Sequence, residues 1–104
     1  MSKFDEREKG FEKKFIMDEE LQFKVNAKRN KYLGMWAAEK LNKVDNDKEI
    51  YVQEVIKSDF VEPGEEDVFR KIQSDFKKAS INISDSEIRE KMSFLLERAK
   101  KELL

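Results

Sequence analysis

With 104 residues, three glycines and one proline, the chain has room for one modest core and few turns. That excludes a many-stranded sheet and a large enclosed active site. Twenty-two basic residues nearly cancel twenty-three acidic ones, for a formal net charge of -1, so no general field collects nucleic acid. Neither cysteine nor histidine occurs, which removes disulfides, the thiolate and imidazole metal ligands, and the commonest general base and thiol nucleophile.

The first residues carry no apolar run that would serve as a secretory signal, and no stretch approaches the ~20 apolar residues of a membrane span. The chain is expected in the cytoplasm, with no direct membrane insertion. Residues 1–18 stand apart from the rest. Phe4, Phe11 and Phe15 fall on one helical face, while Asp5, Glu6, Arg7, Glu8, Lys9, Glu12, Lys13 and Lys14 fill the remainder. Gly10 costs about 1 kcal/mol relative to alanine in a helix, and so short a helix is marginal by itself. The pattern predicts a flexible amphipathic arm over 1–18, mobile when free and helical when bound, ahead of a folded domain over 19–104.

In that domain the spacing of Leu21, Val25, Tyr32, Leu33, Trp36, Ala37 and Leu41 predicts one long helix from about Asp18 to Leu41. Trp36 reads as a core anchor, with Gly34, Ala37 and Ala38 beside it small enough for another helix to approach. Asn46 with Glu49 reads as the capping box of a second helix, its inward face Tyr51, Val52, Val55, Ile56 and Phe60. Pro63 and Gly64 stop that helix. A third begins at Glu65, Glu66 and Asp67 and buries Val68, Phe69, Ile72, Phe76 and Ala79. Ser84 and Glu87 form the clearest capping box, with Ile83 stapling onto Ile88. The helix they open buries Ile88, Met92, Leu95, Leu96, Ala99 and Leu103. Short connections make successive helices antiparallel, so the expected fold is all-α, a small four-helix bundle with a flexible amphipathic N-terminal arm.

Little in this sequence resembles a reactive site. Seven serines lack a nucleophile elbow, and Ser84 has a capping role. Adjacent acids such as Glu19 and Glu20 point about 100° apart on a helix and build no cation cage. Asp45-Asn46-Asp47 lacks the rest of a calcium loop, and no glycine-rich phosphate loop occurs. A binding protein without catalytic residues, metal or cofactor is expected, with a weak nucleotide contact left open. Lys24, Lys28, Arg29 and Lys31 follow one another with no acid between them, and form the best secondary contact for a phosphate or an acidic protein. A solvated helix face is the simpler reading of the same run.

Read in order, Phe4-Asp5, Arg7-Glu8, Phe11-Glu12, Lys14-Phe15, Asp18-Glu19-Glu20 and Phe23-Lys24 resemble the opening of the zeta subunit of the alphaproteobacterial F-type ATP synthase. Arg29-Asn30-Lys31, Leu33-Gly34, Trp36-Ala37-Ala38-Glu39, Asp59-Phe60, Glu66-Asp67-Val68, Ile88-Arg89 and Lys91-Met92 continue the likeness along the chain. Members of the family often carry a histidine where this chain has Met17. The resemblance implies an inhibitory accessory subunit, not an enzyme, that binds the catalytic head formed by the alpha, beta and gamma subunits at the inner face of the plasma membrane. It implies that the N-terminal helix blocks ATP hydrolysis; on that helix the stripe Phe4, Phe11 and Phe15 and the flanking Arg7 and Lys14 are the residues expected at the partner. A free chain is expected to be monomeric. The competing reading is a helical interaction module, or a nucleotide-sensing regulator, acting on another partner.

Overall fold

The computed structural model describes residues 19–59 and 65–103. The expectations placed on residues 1–18, Phe60, Pro63 and Gly64 therefore lie outside the described residues. Among the described residues there are four helices and no strand: α1 Glu19–Lys40, α2 Asp45–Ser58, α3 Glu66–Lys78 and α4 Asp85–Leu103. α1 packs against α2 and α4, and α3 closes the ring by packing against both. Contacts between neighbours run in opposite chain order. Gly34 faces Val52 while Lys48 pairs with Glu39. Tyr51 bonds Asp75 while Lys71 pairs with Glu54. Glu66 pairs with Arg89 while Gln73 bonds Asp85, and Lys28 pairs with Glu102 while Lys91 lies over Trp36. Each neighbouring pair is thus antiparallel, giving the up-down-up-down bundle.

The core draws on every helix: Leu33, Ala37, Tyr51, Val55, Val68, Ile72, Phe76, Ile88, Met92 and Leu95 belong to one buried cluster. Each buried Val, Leu, Ile, Phe or Met side chain among them contributes about 1.5–3 kcal/mol by leaving water. At the α1–α2 seam, a β-carbon built on Gly34 would stand 3.1 Å from the Val52 Cα. Glycine here permits a backbone approach that a side chain would oppose.

The helix ends show why the chain reverses where it does. Asn42 takes a left-handed φ of 61°. The N–H of Lys43 bonds Ala38 O at 2.9 Å and that of Asn42 bonds Glu39 O at 3.1 Å, which is the Schellman arrangement. Ser80, at φ 59°, repeats it through Ile81 N–H to Phe76 O at 2.8 Å, and Ile81 packs against the core. The Ser84–Glu87 capping box forms, with Glu87 N–H donating to Ser84 Oγ at 3.1 Å and Ser84 N–H to Glu87 Oε1 at 3.4 Å.

The second expected box does not form. Val44 is the cap of α2 and makes no side-chain cap bond, because the turn at Asn42 and the left-handed Asp45, φ 53°, bring the chain into the helix before Asn46. Ala79 is exposed rather than buried, since the chain already turns away at Ser80. Trp36 is half-buried, and its ring meets Phe76 edge-on at 5.6 Å between centroids.

Candidate functional site

The arm residues Phe4, Arg7, Phe11, Lys14 and Phe15 lie outside the described residues. The secondary cluster on α1 is described, and its four cations do not share one surface. Lys24 is exposed and reaches Glu20 at 3.8 Å. Lys28 is half-buried against α4, 3.1 Å from Glu102, and Lys31 is exposed.

Arg29 is only 2% exposed, which corrects its placement on an accessible basic face. Val25, Arg29 and Leu33 follow one another at i, i+4 and i+8, so Arg29 belongs to the buried stripe and the three lysines to another face. Its Nε donates to Asn30 Oδ1 at 2.6 Å and its Nη1 to Glu65 Oε1 at 2.9 Å. The ion pair crosses the diagonal of the bundle and ties α1 to the start of α3. Burial pushes the Asp59 carboxyl above its ordinary range, against the pull of Arg29. Asn30 Nδ2 and Asp67 Oδ2 are both buried with no hydrogen-bond partner among the described residues. Removing Glu65 would leave a charged guanidinium unpaired in the interior, the costly way to break such a pair.

A second polar group joins α1 to α4. Glu102 accepts from the Tyr32 hydroxyl at 2.5 Å and from Arg98 Nε at 3.1 Å, and it pairs with Lys28. Those three donors, Tyr32 foremost, hold its carboxyl down at about 2. The Arg98 guanidinium stacks over Tyr32 at 4.1 Å. Farther along α4, Lys91 stands 5.8 Å from the Trp36 ring and 5.5 Å from the Phe94 ring, and Phe94 is 63% exposed. On the opposite side of the bundle, Tyr51 donates to Asp75 Oδ2 at 2.8 Å. Burial first and that hydrogen bond second push the phenol far above its ordinary range, so Tyr51 remains a neutral structural donor.

No group of three or more acidic side chains among the described residues is arranged to hold a metal ion. No described helix is long and apolar enough to cross a membrane. What the surface does offer is aromatic rings beside cations, with Arg89 over Phe69 and Arg98 over Tyr32 and with lysines near Tyr51, Trp36 and Phe94. The molecule is thus, by class, a small four-helix bundle.

The sequence model of the family "ATPase inhibitor subunit zeta" matches residues 1–102, and the chain belongs to that family. A structure solved by solution NMR is similar over 80% of this chain and 94% of its own, with 41% identity and a TM-score of 0.70. No curated protein sequence matches. Membership assigns the chain a regulatory role as an ATPase inhibitor associated with ATP synthase.

Proposed function

We propose that this chain docks on the catalytic head of the F-type ATP synthase, at the inner face of the plasma membrane, and blocks ATP hydrolysis with residues 1–18 as a separate inhibitory arm. The bundle would then act as a binding domain rather than a catalyst. The observation that carries the reading is that one buried cluster, drawn from all four described helices, already accounts for the bundle's core, while the sequence places a further apolar stripe at Phe4, Phe11 and Phe15. An amphipathic segment with its own stripe suits a groove on a partner.

Magnitudes favour two engagements over one. Three buried phenylalanines contribute roughly 5–9 kcal/mol, whereas association costs about 4–15 kcal/mol before any ordering of the arm. A contact from the bundle raises the effective concentration of the arm at its groove. Arg7 and Lys14 flank the stripe, where they can pair with acids at the groove rim. The test is ATP hydrolysis by the cognate head with the full chain and with a chain lacking residues 1–18. Inhibition by the full chain alone supports the proposal, and equal inhibition by both contradicts it.

A further inference from the structure

The α1 basic run offers the bundle's contact with that head little, because Arg29 is buried and Lys24 and Lys28 already pair with Glu20 and Glu102, which leaves Lys31 as its one exposed cation outside an ion pair among the described residues. The outward face of α4 offers a different surface. Glu87, Glu90, Lys91, Phe94, Glu97, Arg98 and Lys101 recur at helical spacing on the side away from Ile88, Met92, Leu95 and Ala99. Phe94 stands as an exposed ridge at its centre. A shallow depression lies on each side, one floored by Trp36 and Lys91 and the other by Arg98 and Lys101.

The charges on this face do not cancel. Glu102 is taken by Lys28 and Arg98, Glu97 by Lys100, and Glu87 closes the cap with Ser84. Lys40, Lys91 and Lys101 enter no ion pair among the described residues, and Glu87, whose cap bond leaves its charge in place, and Glu90 are the two carboxylates left to oppose them. The uncommitted charge around Phe94 is therefore positive, and Lys91 sits between two rings where a cation and an aromatic surface are presented together.

We propose that the α4 face centred on Phe94, with Lys91 and Lys101, is the bundle's own docking surface for an acidic protein segment carrying an apolar anchor on the catalytic head. This inference rests on the function proposed above. Its placement suits that function. The Lys28–Glu102 pair sets the C-terminal end of α4 beside the N-terminal half of α1, and Phe94 lies eight residues, about 12 Å, from Glu102 along the helix. A partner lying along α4 is thus beside the N-terminal half of α1.

The experiment is binding of the full chain to the isolated cognate head, compared for the wild type, Phe94→Ser, the pair Lys91→Glu with Lys101→Glu, and Ile50→Ser. Ile50 is 50% exposed on α2, diagonally across the bundle, and serves as the control for losing an exposed apolar side chain. Phe94→Ser is expected to weaken binding at least about tenfold. The double charge reversal is expected to weaken it several-fold and to reduce its salt dependence. Ile50→Ser should bind as the wild type does, and all four proteins should melt alike. Wild-type binding by Phe94→Ser overturns the inference while leaving the inhibitory reading in place. A wild-type chain that fails to bind the head overturns both.

Discussion

The two flanks of α1 are built on opposite principles. Toward α2 it presents Gly34, Ala37 and Ala38, and the seam closes by shape, with Val52 and Val55 at van der Waals distance from the glycine. Toward α4 it presents Lys28, Tyr32 and Trp36, and the seam is a ladder of rings, guanidinium, ammonium and carboxylate groups open to water. Exposed ion pairs contribute only about 0–1 kcal/mol each. Both flanks border the shared core, and the second adds at its rim aromatic and charged groups that a partner can reach.

Substitutions on each side can break or sharpen that contrast. The largest effect is expected at Phe76, 1% exposed and packed on Trp36, where alanine should cost about 3–5 kcal/mol in denaturant unfolding. Gly34→Val drives a branched side chain into the Val52 backbone and should cost about 1–3 kcal/mol; a neutral result would mean the α1–α2 seam is looser than its distances imply. Ser84→Ala removes the cap of α4 and should lower stability by about 1 kcal/mol.

Glu102→Gln should be the mildest at neutral pH and is diagnosed by its acid limb. The native carboxyl is held at about 2 against an ordinary 4.5, so the stabilisation from this group is present above the ordinary value and lost as pH falls from there toward 2. Melts of the wild type and the glutamine variant recorded across that window should converge as the pH drops. A Glu102→Gln protein as damaged at neutral pH as Gly34→Val would erase the contrast between the flanks.

Much of the fold was legible because helical periodicity reports burial directly. Val25, Leu33, Val55, Ile72, Phe76, Ile88 and Met92 occupy the inward positions that their spacing implies. The Ser84 box was equally plain, since both its partners lie in sequence. Arg29 was misplaced because four cations with no acid between them were grouped by adjacency, although the helix angle sets Arg29 between Val25 and Leu33. The partner that explains it, Glu65, lies across the bundle and leaves no local trace. Asn46 misled for a related reason: its cap chemistry was present, but the left-handed turns at Asn42 and Asp45 fixed the start of α2 first. The α4 face around Phe94 gave no local signal at all, because it became visible only when other acids were seen to be paired.

The central claim is that inhibition and folding reside in different parts of the chain. Replacing Phe4, Phe11 and Phe15 together by alanine tests it most directly, with ATP hydrolysis by the cognate head and the thermal melt measured on the same preparation. The account predicts that inhibition is lost while the melting temperature of the bundle stays nearly unchanged. Inhibition at the wild-type concentration, or a loss of inhibition accompanied by an equal collapse of the melt, would contradict it.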